Sequence, residues 1–164
     1  MSATRLLAVL GAGAVALVLG ASAARAQSVD ARCDVYEIQA SNGTGGIDPA
    51  LGPLTKKLQK APFTGWTEFK LLRKHEQDVE LKKPVSLSLT TSGKMSLLLR
   101  DKVVSQNKVT RLRLTVTMLD SNGKQTLETT TQVDSGDAWL IGGEAMPGNA
   151  GATYFVGIAC TAKP

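Results

Sequence analysis

Apolar residues alternate with polar ones along most of the chain, a period of two that reads as strands half-buried on one face. In Asp34 to Ala40, Tyr36, Ile38 and Ala40 fall on one side and Val35, Glu37 and Gln39 on the other. The same alternation predicts strands over Trp66 to Lys74 and Asp78 to Lys82, and through Val85, Leu87 and Leu89. Thr91-Ser92-Gly93 then turns the chain into Met95, Leu97 and Leu99. Beyond a polar connection over Asp101 to Asn107, Leu112, Leu114, Val116 and Met118 alternate with Arg111, Arg113, Thr115 and Thr117. Asn122-Gly123 is a hairpin signal, because both residues tolerate positive φ. Its return strand carries Leu127, Thr129, Thr131 and Val133, and a short strand over Ala138 to Ile141 follows. Gly142-Gly143 and Pro147-Gly148-Asn149 predict a loop before the last inward row of Tyr154, Val156, Ile158 and Cys160.

One segment breaks this rhythm. Asp48 followed by Pro49 has the form of a helix N-cap with proline at the first position, where its missing N–H is not needed. Leu51, Leu54 and Leu58 are spaced three and four apart, which predicts a short amphipathic helix running to about Ala61 and stopped by Pro62. Many antiparallel strands with one short N-terminal helix argue for a mainly β fold, a sandwich or an open barrel, with the sandwich as the expected form. Phe63, Trp66 and Phe69 then read as aromatics that pin the helix to a sheet.

The start of the chain follows another pattern. Arg5 precedes an unbroken run of Leu, Val, Ala and Gly from Leu6 to Leu19, and Ala24-Arg25-Ala26 offers small residues where a signal peptidase cuts. The expectation is a leader over residues 1–26, a single domain over 27–164 beginning at Gln27, and a periplasmic or secreted product. An earlier cut after Ala23 leaves the same domain. The run falls short of the ~20 strongly apolar residues of a stable span, so no membrane span is expected after processing.

Export changes the meaning of the two cysteines. Disulfides persist outside the cytoplasm, and Cys33 and Cys160 are the chain's only pair. Neither has the Cys-x-x-Cys spacing of a redox thiol, so a structural bridge is expected. Cys160 is in phase with its inward row, whereas Cys33 is out of phase with Tyr36 and Ile38; a bulge, or a bond placed just before the strand begins, would reconcile them.

Charge narrows the choice of function. Removing Arg5 and Arg25 with the leader lowers the formal net charge from +5 to +3, too little to argue for nucleic acid as a partner. The lone histidine, His75, shares a strand face with Gln77 and Val79, while Glu76, Asp78 and Glu80 fall on the other, so no local carboxylate faces it. A metal site needs three or four ligands, and a Ser-His-Asp triad needs partners for which no pattern speaks. No catalytic, metal or cofactor residues are assigned. Aromatics are 4% of the chain, sparse for a sugar cleft.

The order Gly45-Gly46-Ile47-Asp48, Leu51, Leu54, Leu58, Pro62-Phe63 and Phe69-Lys70-Leu71-Leu72, followed by serine- and leucine-rich strands, resembles a loose group of small exported proteins of Gram-negative bacteria with no assigned function. The resemblance implies a helix-plus-β architecture and carries over no active residues. The residues themselves lead to an exported, non-enzymatic module that binds a protein or an envelope polymer through a sheet face or an exposed strand edge. Its expected binding face is built from Arg111, Arg113, Thr115, Thr117, Thr129 and Thr131, with Thr130 beside them. The rival expectation is a small secreted hydrolase or carbohydrate-active protein, which a concave pocket with converging ionisable groups would favour.

Overall fold

The computed structural model describes residues 29–106 and 108–163. The expected leader, residues 1–26, and its cleavage site lie outside them. Eight strands, β1 (Ala31–Ser41), β2 (Glu68–Val79), β3 (Pro84–Ser88), β4 (Lys94–Ser105), β5 (Lys108–Leu119), β6 (Gln125–Asp134), β7 (Ala138–Met146) and β8 (Asn149–Ala162), form two antiparallel four-stranded sheets. Sheet A has the order β2-β1-β8-β7 and sheet B the order β3-β4-β5-β6. The sheets face each other as a sandwich; no ladder joins β2 to β3 or β6 to β7, so they do not close into a barrel.

Both faces of sheet A are covered. Its inner face meets sheet B through Ala31, Cys33, Val35, Val156, Ile158 and Cys160, packed against Leu97, Leu99, Leu112, Leu114 and Val116. Its outer face carries Tyr36, Ile38, Ala40, Phe69 and Phe155, roofed by Leu51, Leu54 and Leu58. Covering those three leucines contributes about 1.5–3 kcal/mol each to holding the roof down. The roof begins where the sequence predicts: the Asp48 carboxylate accepts from the Ala50 N–H at 2.9 Å and from the Leu71 N–H of β2 at 3.2 Å. It is less helical than expected. Residues Pro49–Leu54 form a 3₁₀ segment, and only α1 (Thr55–Leu58) is α-helical, short of Ala61. Two prolines and Gly52 within six residues remove N–H donors and add backbone freedom, which favours the tighter, shorter turn.

The doubly covered sheet explains the phase of Cys33. Tyr36, Ile38 and Ala40 face the roof while Cys33 and Val35 face sheet B, so two opposite rows of β1 are both buried. Cys33 stands directly across from Cys160 in the β1–β8 ladder, with Cα atoms 4.0 Å apart and a disulfide between them. No bulge is needed at the cysteine.

Three boundaries differ from expectation. Instead of two strands over Trp66 to Lys74 and Asp78 to Lys82 there is one, β2, which runs from Glu68 through the charged residues between them and ends at Val79; it lies at a sheet edge where side chains reach water. Of the expected polar connection, Asp101 to Ser105 continues β4 and pairs with β5, bent by register shifts at Leu99/Asp101 and Val103/Val104. It projects beyond the core, which leaves Val103 and Val104 exposed along with its polar residues. The expected loop at Gly142-Gly143 is a bend inside β7, where both glycines have positive φ (115° and 113°) and the register to β8 shifts.

Candidate functional site

The expected binding face divides. Cross-strand partners share a face, and Leu114 stands opposite Thr131 and Val116 opposite Thr129, so those two threonines point toward the interior. Arg111, Arg113, Thr115 and Thr117 stand opposite Asp134, Gln132, Thr130 and Glu128 on the outer face. The six residues are thus not one surface. The cause is the period of two: consecutive threonines over Thr129 to Thr131 cannot all project the same way, and Thr130 is the outward one.

The outer face of sheet B is rich in hydroxyls. Ser86, Ser96 and Thr117 lie in one cross-strand row that ends at Glu128, and Thr115 and Thr130 lie in the next with Pro84 and Leu98. The Arg100 Nε–H donates to Thr115 Oγ1 at 2.6 Å, and the Thr115 and Thr130 hydroxyls are 2.7 Å apart. Arg100 and Thr130 cover Thr115, leaving it 4% exposed although it points outward. Arg111 pairs with Asp134 at 2.9 Å at the far end.

A second cluster lies where no local pattern placed one. Glu37 is fully buried, the one carboxylate so buried among the described residues, and faces the space between the sheets on the same side of β1 as Val35. Its Oε1 lies 2.8 Å from His75 Nε2 on β2. Its Oε2 accepts from the Thr90 N–H at 2.7 Å, the Thr90 hydroxyl at 2.6 Å and the Tyr154 hydroxyl of β8 at 2.7 Å. Burial pushes the Glu37 carboxyl up, but the bonds from Thr90, His75 and Tyr154 outweigh it and hold the group below the usual carboxylate range. Burial and the adjacent Glu37 push the Tyr154 phenol well above its ordinary value, so it stays a neutral donor. With Glu37 ionised, His75 Nε2 must carry the hydrogen in this contact.

This corrects the reading of His75. The neighbouring acids in sequence do face away from it, yet it has a carboxylate partner, supplied by β1 from 38 positions upstream. His75 stands opposite Val35 and reaches Glu37 diagonally across the ladder. A signal was available in the sequence: Glu37 has the parity of Cys33 and Val35, so a bonded, inward Cys33 already implies an inward Glu37.

The cluster works as a clamp. It joins β1, β2 and β8 of sheet A to the turn between β3 and β4 of sheet B, with four donors on one carboxylate. Beside it, at the end of the sandwich, a cavity of about 220 Å³ is lined by Thr91, Thr126, Asp120, Glu144 and Tyr154. Tyr154 turns its hydroxyl to Glu37, and Asp120 Oδ1 accepts from the Asn122 and Lys124 N–H groups, each at 2.9 Å, to form the β5–β6 turn. Tyr154 and Asp120 are thus engaged with the fold. Among the described residues no three His, Cys, Asp or Glu side chains are grouped to hold a metal ion, and no helix is long and apolar enough to cross a membrane.

The aromatics sit as expected. Phe63 and Trp66 stack edge-on against Phe155, with ring centroids 5.4 and 5.0 Å away, closing the roof on β8. Trp139 packs against the inter-sheet core and forms no patch with them.

The architecture defines a two-sheet, disulfide-bridged β-sandwich with a roofed outer face. Compared with protein-family models, curated proteins and solved structures, the chain matches none.

Proposed function

We propose that the protein is an exported, non-enzymatic module of the periplasm or exterior that binds a protein or an envelope polymer through the outer face of sheet B. The observation that carries this reading is the asymmetry of the sandwich. Sheet A spends its outer face on the leucine roof, while sheet B turns outward the serine and threonine rows of Ser86, Ser96, Thr117 and Thr130, with Arg100 and Arg113 beside them. Hydroxyl rows at strand spacing suit an extended partner that offers donors and acceptors at regular intervals. The Arg100-Thr115-Thr130 chain fixes the direction of these groups beforehand, which lowers the ordering cost of binding. Export is supported by the leader pattern and by a disulfide that a reducing compartment would not maintain.

The test is retention of the purified protein on washed envelope fractions. Ser96→Glu and Arg113→Glu alter the outer face, and Lys60→Glu alters the roofed side as a control. The two face variants are expected to weaken retention by about tenfold or more while Lys60→Glu does not. Retention that ignores the face variants, or that falls equally with Lys60→Glu, overturns the reading.

A further inference from the structure

A sandwich open along both flanks has four edge strands, and three of them carry features that block further pairing. β2 presents Lys70, Arg73, Lys74, Glu76 and Asp78. β3 has five residues and begins at Pro84, and β7 is bent at Gly142-Gly143. Charge, brevity, proline and bulges are the usual ways to keep an edge single. β6 carries the fewest: its one bulge, at Thr126, lies at the start of the strand, where the register to β5 shifts between Met118 and Leu119, and the run from Leu127 to Val133 is regular. The ten residues of β6, Gln-Thr-Leu-Glu-Thr-Thr-Thr-Gln-Val-Asp, contain no Pro, Gly or Lys, and Glu128 is the only charge before the terminal Asp134. Hydrogen-bonded to β5 alone, it leaves one row of backbone groups without a strand partner.

The flank beside this edge is also open. At the β6–β7 turn end of this flank a cleft of about 300 Å³ is lined by Thr131, Val133, Ala138 and Trp139 and rimmed by the charged Lys57, Arg111, Asp134 and Asp137. Trp139 is only partly buried against the core. A strand added to β6 would place its inward side chains over this cleft.

We infer that the occupant is a second copy of this chain, with β6 pairing antiparallel to its own symmetry mate about Thr130. Antiparallel partners share a face, so only registers that pair inward with inward residues are allowed. A dyad at Thr131 sets Glu128 against Asp134 of the other copy, two like charges. A dyad at Thr129 sets Leu127 against Thr131 and Val133 against Gln125. The dyad at Thr130 sets Leu127 against Val133, Thr129 against Thr131 and Glu128 against Gln132, matching apolar to apolar and hydroxyl to hydroxyl with no opposed charges. The two copies of sheet B become one eight-stranded sheet, and their hydroxyl faces run on continuously. The pairing is isologous and uses up the least protected edge, so assembly stops at two.

The test is the molar mass of the exported, processed protein in solution, by light scattering and sedimentation up to about 200 µM. Twice the chain mass is expected. Thr130→Lys places two ammonium groups against each other at the dyad and is expected to return the monomer with its far-ultraviolet dichroism unchanged. Thr130→Cys is expected to form a reducible intermolecular disulfide in high yield, while Thr126→Cys, whose partner across the dyad is Asp134, is not. A monomer throughout that range, or a dimer that Thr130→Lys leaves intact, overturns the inference. If Thr130→Lys fails to fold, crosslinking decides: equal yields from the two cysteine variants count against the Thr130 dyad.

Discussion

His75 Nε2 lies 2.8 Å from Glu37 Oε1, yet neither residue is the other's ladder partner: His75 stands opposite Val35 and Glu37 opposite Arg73. The contact runs diagonally, and just beyond it the β1–β2 register shifts between Glu37 and Ile38. Opposite Ile38 stands Leu71, so Leu72 is the extra residue of β2, and it packs into the inter-sheet core. A buried charge and a bulge therefore occupy the same place in the sandwich.

Removing the carboxylate leaves its donors unmatched. Glu37→Ala strands the Thr90 N–H, the Tyr154 hydroxyl and the His75 N–H in the interior, and a loss of about 3–5 kcal/mol is expected in urea unfolding. Glu37→Gln keeps one acceptor oxygen and is expected to lose less. Equal stability of Glu37→Ala and the parent would show that the clamp holds nothing.

The same carboxylate sets an acid limit. Its folded pKa lies below the unfolded value of about 4.3, so its contribution is present above that pH and is lost as the pH falls through the lower folded value. Asp30, lowered by the Lys102 ammonium and the Leu81 N–H, acts in the same direction. The urea midpoint is expected to fall between pH 5 and pH 3, and Glu37→Gln is expected to flatten that fall. Identical slopes for parent and variant would exclude Glu37 as the source.

The bridge makes a separate prediction. Cys33 and Cys160 are expected to resist alkylation in denatured, unreduced protein, and reduction is expected to lower stability by about 2–5 kcal/mol. Because the cysteines are adjacent in a ladder that strand pairing already holds, a Cys33→Ser, Cys160→Ser double variant should still fold at low temperature. Complete labelling of both thiols without reductant would contradict the bridge.

Glycines at turns differ in what they tolerate. A Cβ on Gly93 would lie 2.5 Å from the Leu119 carbonyl oxygen, a backbone atom that cannot swing away. Gly93→Ala is expected to cost about 1–3 kcal/mol and to disturb the turn that carries Thr90. Gly52 has open space around it and ordinary φ, so Gly52→Ala should be near neutral. Matching thermal midpoints for the two variants would refute the contrast.

The sheet core was readable from the period of two, since Leu97, Leu99, Leu112, Leu114 and Val116 needed only their parity to be placed. The Asp48-Pro49 start was readable because a cap is a local device. What local pattern could not supply was the origin of partners. His75 took its carboxylate from another strand, and the charged residues of β2 concealed its continuity because an edge strand has little need to be apolar. Thr129 and Thr131 were misassigned for a simpler reason: composition was read as a surface where parity separates the residues.

The Lys163 N–H donates to the Asp30 carbonyl at 2.9 Å, so the two ends of the described fold abut. Around the sandwich the strands follow one another from β1 to β8 and then to β1 again. In three dimensions the described fold is a ring with one break, and the position of the break is not dictated by the packing. A circular permutant, spliced across residues 30 and 163 and opened at the exposed Asn122-Gly123 turn, would keep every ladder while making β1 and β8 a hairpin of the interior. Cys33 and Cys160 would then be close in sequence as well as in space, and the bridge would change from a lock on the whole chain to a local one.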